Sequence, residues 1–316
     1  MPPYSEKIAF IFPGQGSQLI GMGQQLAEEF TLARETFHHA DSLLGYPLST
    51  IAWEGPKELL DDTINTQPAL FVHSIATLRV IRETHPELLP NYVAGHSMGE
   101  LSALVAAGSL SFEEGILLVR KRGELMKQAG ELSPGGMAAI IGLEIDALEK
   151  ICATASQGQE IVQIANDNCP GQVVISGASA ALNRAMTGAK DAGARKVVPL
   201  PVSIAAHSPL MIHAQEGFNQ AVEAVHFNNP ATPIIGNVNA SLLENITAIE
   251  EDLQAQLNSR VRWTETIQLM LSNDVSTFFE IGSNSVLAGL LKRIDRSALC
   301  ISIGNPADFE KLTALQ

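Results

Sequence analysis

The sequence predicts an α/β protein: a mainly parallel sheet covered by helices on both faces, with a smaller βαββαβ unit inserted into it. Three observations carry this reading. Short apolar runs alternate with helical stretches over residues 7–130 and again over 202–303, as in strands joined by crossover helices. Between these parts the order changes, and two strand-like runs follow each other directly. Finally, Gly95-His96-Ser97-Met98-Gly99 stands where an apolar run gives way to an apolar helix, the setting of a sharp strand-to-helix turn that presents a nucleophile.

In chain order, residues 7–12 (Lys-Ile-Ala-Phe-Ile-Phe) read as a buried strand, and Pro13–Gln18 as a tight loop. A dinucleotide loop is excluded there, because the third glycine of its fingerprint would fall at Leu19. Residues 23–29 and 32–44 read as helices. Asn65-Thr66-Gln67-Pro68 reads as a helix start, with Pro68 just inside it. The 93–95 run and a helix over 101–107 flank Ser97, and Ser111 opens a helix to about residue 128. Arg120, Lys121 and Arg122 lie on that helix, and at 100° per residue they cannot share one face.

Ser133-Pro134-Gly135-Gly136 breaks the pattern. Strands are expected at 137–142, 161–165, 172–175 and 195–198, with helices at 145–155 and 180–192 and a turn over 166–171. That order is the split ferredoxin-like unit. The expected division is therefore 131–200 for the insert, with 1–130 and 201–316 forming one discontinuous domain. The larger part resumes with strands at 234–236, 277–281 and 299–303 and helices at 249–257, 264–271 and 286–294.

The composition narrows the function. With 20 basic and 34 acidic residues the net charge is −14, which argues against nucleic-acid or anionic-membrane partners. Small anionic ligands need only one local cation and stay open. Three cysteines at unpaired spacings suit a reducing compartment and give no metal-ligand pattern. The polar opening residues and the lack of a long apolar run predict a cytoplasmic protein.

A serine hydroxyl needs an adjacent base. His38, His39 and His85 lie in polar helical surroundings, and His73, His213 and His226 have no distinctive context. His96 precedes the serine and so points away from it. His207 lies on a junction between Pro201 and Ser208-Pro209 and is the best-placed base. No Asp occupies an obvious third position, so a Ser–His dyad is expected.

Six motifs occur in order: Phe12-Pro-Gly-Gln-Gly-Ser-Gln18, Asn65-Thr-Gln-Pro-Ala-Leu70, Gly95-His-Ser-Met-Gly-Glu100, Lys121-Arg-Gly123, Pro170-Gly-Gln-Val-Val-Ile175 and Val202-Ser-x-x-x-His207-Ser208. Together they resemble the malonyl-CoA:acyl carrier protein transacylases of fatty-acid and polyketide synthesis, over nearly the whole chain. The resemblance implies an α/β-hydrolase-like large domain with a ferredoxin-like insert. It implies that Ser97 carries the malonyl group, that His207 moves its proton, and that main-chain N–H groups of Gln15 and Met98 form an oxyanion hole. Arg122 would grip the free carboxylate, the main-chain oxygen of Gln256 would orient the histidine, and Gln67 and Asn166 would line the pocket.

The implied partners are malonyl-CoA and the phosphopantetheine thiol of acyl carrier protein. No metal or redox cofactor is implied, a monomer is the default, and a chain of this length points to fatty-acid supply. Ala205-Ala206 departs from the family, which often has Ser or Phe before the histidine; weaker rejection of α-substituted malonyl groups is expected. Two rivals stay open: a thioester hydrolase using the same serine and histidine, and a carrier-binding module without catalysis.

Overall fold

β1 (Lys7–Phe12) lies at the centre of a five-stranded parallel sheet and is buried from Ile8 onward. The computed structural model describes residues 7–313; residues 1–6, read above as a short polar opening, lie outside the described residues. Side chains alternate along β1. Ile8, Phe10 and Phe12 join the core on one face, and Ala9 and Ile11 join the core on the other. A strand buried on both faces reads as a continuous apolar run.

From β1 the chain passes through α1 (Gln24–Glu29), α2 (Thr31–Leu44), α3 (Leu48–Glu54), α4 (Lys57–Asp61) and α5 (Thr63–Thr84). It then enters β2 (Tyr92–Gly95), α6 (Gly99–Ala106) and α7 (Phe112–Leu132). The next stretch gives β3 (Gly135–Ile141), α8 (Ile145–Ala155), β4 (Val162–Cys169), β5 (Gln172–Ala178), α9 (Ser179–Asp191) and β6 (Lys196–Pro199). The remainder holds α10 (Ile212–Glu223), β7 (Ile234–Ile235), α11 (Ile246–Gln256), α12 (Trp263–Ser272), β8 (Val275–Ile281), α13 (Val286–Ile294), β9 (Leu299–Ile303) and α14 (Phe309–Thr313). The parallel sheet runs β7-β2-β1-β8-β9, and a second, antiparallel sheet runs β4-β5-β3-β6. The fold is thus a mixed α/β fold with one sheet of each kind. The second sheet and its two helices lie within residues 135–199 and have their own core, including Ile140, Leu148, Ile175 and Ala185.

Three local expectations are corrected. The helix expected at Asn65 opens earlier, at α5, where the Asp62 side chain accepts the Ile64 N–H. Pro68 is therefore well inside the helix, and it has no N–H for the Ile64 carbonyl. Arg120 Nη1 donates to that carbonyl at 3.2 Å instead, so a side chain from α7 supplies the missing donor. The short helices α3 and α4 were not legible as such in the sequence.

The third correction bears on the site. The expected turn at 166–171 shrinks to its last residues, because β4 continues to Cys169 through irregularities at 164/166 and 167/169. The extension is held from the other side: Val261 N–H donates to Ala165 O (2.8 Å), and Asp167 N–H donates to Val261 O (2.9 Å). These two bonds tie the second sheet to the segment before α12. Polar Asn166 is thus a ladder residue opposite Val174, and Asn168 stands at the 167/169 irregularity of the strand rather than in a turn.

Candidate active site

The two elbow glycines are required by contact. A Cβ at Gly95 would lie 1.9 Å from the Gly99 carbonyl carbon, and one at Gly99 would lie 2.2 Å from Phe12 O. Glycine thus lets β2, the turn and β1 close on one another. Between them Ser97 has φ +53°, and His207 has φ +57°. Left-handed backbone costs a non-glycine residue roughly 1–2 kcal/mol, so both residues are held by their surroundings.

Ser97 Oγ and His207 Nε2 are 2.8 Å apart. His207 Nδ1 faces two carbonyls, Gln256 O at 2.9 Å and Ser259 O at 3.1 Å. Two acceptors fix the proton on Nδ1 and leave Nε2 bare toward the serine hydroxyl. His207 is buried, and burial, then the Arg122 cation, push its pKa down to about 3. The imidazole is therefore neutral at neutral pH, as a base must be.

Arg122 comes from the middle of α7 and is almost wholly buried, while Lys121 is exposed. Nη1 donates to Gln67 Oε1 (2.8 Å), and Nη2 donates to Gln256 Oε1 (2.8 Å) and Ser97 Oγ (3.1 Å). All these acceptors are neutral, and Nε has none. Burial lowers the Arg122 pKa to about 10, which leaves a cation without a carboxylate against it, beside the nucleophile.

Gln67 is fixed in turn: its Nε2 donates to Thr63 Oγ1 (2.9 Å), which donates to Gln15 Oε1 (2.9 Å). Gly14 brings the Gln15 loop against the elbow, where a Cβ would meet His96 O at 2.4 Å. Among the described residues no main-chain oxygen takes the N–H of Gln15 or Met98 in a turn or loop bond. Asn166 is buried on β4, and its side chain bonds none of Ser97, His207 or Arg122 among the described residues. Asn168 reaches the elbow instead, with Oδ1 at 2.8 Å from His96 Nε2. The His96 ring packs edge-on against Trp263 with 5.4 Å between centroids.

Sequence reasoning missed Asn237, Glu100 and Asp252. Asn237 Oδ1 accepts the Ser97 N–H at 2.7 Å, and its Nδ2 donates to Gly95 O at 2.8 Å and to Glu100 Oε2. Asn237 follows β7 as Ser97 follows β2, so the strand-end rule for parallel sheets had a signal to offer. His73, given no context by the sequence, is buried with Nε2 at 2.8 Å from Gly304 O and a pKa lowered to about 4 by burial. Among the described residues no group of three His, Cys, Asp or Glu side chains is arranged to hold a metal ion.

The acyl transferase domain family matches residues 9–305. The chain belongs to that family. Malonyl CoA-acyl carrier protein transacylase of Bacillus subtilis is 43% identical to this acyl transferase over 304 residues, covering 96% of this chain and 95% of the relative. The enzyme of the same name from Haemophilus influenzae is 44% identical, covering 96% and 97%. Among solved structures, an acyl carrier protein S-malonyltransferase from Vibrio cholerae superposes with TM-score 0.93 at 42% identity, covering 97% and 99%. A malonyl-transacylase solved in complex with a type II PKS acyl-carrier protein gives TM-score 0.93 at 40% identity, covering 98% and 99%.

Proposed function

We propose that this acyl transferase moves a malonyl group from coenzyme A to the phosphopantetheine thiol of acyl carrier protein through a malonyl ester on Ser97. The observation that carries this reading is Arg122: a buried guanidinium beside the nucleophile whose protein partners are all neutral oxygens. A substrate with a free carboxylate next to the reacting carbonyl fits it, and a guanidinium holds a carboxylate through paired N–H bonds. Names of relatives that include malonyl transfer agree. The only substrates needed are thioesters, and three free cysteines suit the cytoplasm.

In the loading half, His207 Nε2 takes the Ser97 proton as Oγ attacks the thioester carbonyl. The Gln15 and Met98 N–H groups receive the oxyanion. The malonyl carboxylate takes over the Arg122 Nη2 N–H that Ser97 now accepts. The thiolate of coenzyme A leaves with the His207 proton. The second half reverses these steps with the carrier thiol as nucleophile. Initial rates test this: varying both substrates should give the parallel double-reciprocal lines of a ping-pong scheme. Fast release of free malonate without any acceptor thiol would instead favour the hydrolase reading.

The carrier side of the reaction needs a local basic surface, because the net charge of −14 offers no global attraction to an acidic carrier. Arg260 and Arg262 are occupied by Glu149 and Glu265. Exposed Arg195 and Arg293 both lie near the β4–β5 turn: a Cβ at Gly142 would meet Arg195 Cβ at 2.9 Å, and Gly142 N–H bonds Gly171 O. Arg293 donates to Pro170 O at 3.3 Å. Lys196 and Lys292, their neighbours in the chain, are exposed as well. Reversing Arg195, Lys196 and Arg293 to Glu is expected to slow transfer to the carrier while leaving loading from malonyl-CoA unchanged; slowing of both halves alike would count against this surface.

Ala205 and Ala206, next to His207 in the chain, are buried, and side chains this small oppose an α-methyl group less than Ser or Phe would. Methylmalonyl-CoA is therefore expected to load at a rate comparable to malonyl-CoA. Ala206→Phe should favour malonyl by roughly 10–200-fold, the usual discrimination against one extra methyl group. A strong malonyl preference in the natural chain, unchanged in the variant, would contradict it.

A further inference from the structure

Behind the nucleophile lie two carboxyl groups that the transfer chemistry does not use. Glu100, in the first turn of α6, is fully buried, and Asp252, on α11, nearly so. The two crowd one donor: the main-chain N–H of Asn237 lies 3.1 Å from Glu100 Oε2 and 3.3 Å from Asp252 Oδ2. Two ionised carboxylates placed so closely in a buried site would repel, so one of them holds a proton. Glu100 Oε1 is the place for it: it is buried and no N–H or O–H of the described residues reaches it. Asp252 is the better carboxylate, because both of its oxygens accept a main-chain N–H, Oδ2 from Asn237 (3.3 Å) and Oδ1 from Val238 (3.2 Å). Gly236 makes that approach possible, since a Cβ there would lie 2.5 Å from Asp252 Oδ1.

The other oxygen of Glu100 is a hub. Oε2 accepts from Asn237 N–H (3.1 Å), Asn237 Nδ2 and Gln256 Nε2 (3.0 Å). Those two amides hold both peptide groups of strained Ser97: Asn237 Oδ1 takes its N–H, and Gln256 Nε2 donates to its carbonyl at 3.2 Å. Gln256 also meets Arg122 through Oε1 and His207 through its main-chain oxygen. Nucleophile, cation and base thus share one anchor.

We propose that Glu100 and Asp252 act as a positioning pair that shares a single proton, fixing Asn237 and Gln256 and through them Ser97, Arg122 and His207. Holding one proton rather than none keeps the pair together, since adjacent buried carboxylates repel. It also sets one negative charge, not two, behind a guanidinium that must stay open to an incoming carboxylate. Burial and Asp252 push the Glu100 carboxyl well above the usual range, in the direction this arrangement needs.

The pair is tested by substitution with an infrared readout; the kinetic arm rests on Ser97 being the acylated residue. Glu100→Gln copies a protonated glutamate, with an oxygen for Asn237 and Gln256 and an N–H for Asp252. It should acylate at close to the wild-type rate, whereas Glu100→Ala should acylate about 10²-fold more slowly, as expected for a reacting group misplaced by about an ångström. If Glu100→Ala does not fold, Asn237→Ala severs the same link and should show the same slowing. In chain labelled with carboxyl-¹³C glutamate, wild type at neutral pH should show a protonated-carboxyl stretch that disappears in Glu100→Gln. Absence of that band in wild type, or Glu100→Gln as slow as Glu100→Ala, would overturn the proposal. Wild type that takes no malonyl group would break the functional reading instead, and the band would still decide the pair.

Discussion

Replacing His207 by alanine is expected to slow acylation of Ser97 by about 10²–10⁴-fold, the usual worth of a positioned general base. The expectation rests on the 2.8 Å contact between Nε2 and Ser97 Oγ and on the two carbonyls that hold Nδ1. A stopped-flow measurement of coenzyme A release from malonyl-CoA reads it directly. The pH dependence goes with it. A base with a pKa of about 3 stays neutral, and so competent, far below the ordinary histidine value of 6.5. The loading rate of the free enzyme should therefore stay level from about pH 8 down to about pH 5. An acid limb near the ordinary value would show that His207 is not held neutral by burial and Arg122.

Arg122→Ala should collapse the preference for malonyl over acetyl thioesters. A buried carboxylate that loses its hydrogen-bonded cation costs about 3–5 kcal/mol, or roughly 10²–10⁴-fold in relative loading rate. Both rates will fall, because Nη2 also donates to Ser97 Oγ; the ratio isolates the clamp. Arg122→Lys should not restore it, since an ammonium cannot reproduce the planar fork that spans Gln67 and Gln256. The same alanine removes the second-largest cause of the lowered His207 pKa, so the acid limb should move to higher pH. An unchanged malonyl-to-acetyl ratio in Arg122→Ala would remove the case for a carboxylate clamp.

Much of the site was legible because its residues sit at breaks in the pattern. Ser97 follows a strand and precedes a helix, where a parallel sheet gathers side chains at its strand ends, and His207 stands on a junction before a helix start. The alternation of strands and helices likewise disclosed the parallel sheet, and adjacent strand signals disclosed the antiparallel one. What was not legible depends on contacts far apart in sequence. Asn237 lies 140 positions from Ser97, and its donor–acceptor pairing exists only once β7 lies beside β2. Glu100 stood in the Gly95–Glu100 motif without a role of its own; nothing local says that Asp252 faces it. The continuation of β4 past Asn166 follows from pairing with Val261, against the turn propensity of an Asn-Asp-Asn-Cys-Pro-Gly run. Arg122 could be separated from Lys121 by helix geometry, yet its burial required α5 to be in place.

The most direct test of the central claim is intact-mass measurement of the chain after mixing with malonyl-CoA, before and after addition of carrier protein bearing its phosphopantetheine arm. The expected result is one malonyl group per chain, absent in Ser97→Ala, which moves to the carrier on its addition. A chain that stays unmodified, or an adduct that persists in Ser97→Ala, would contradict transfer through Ser97.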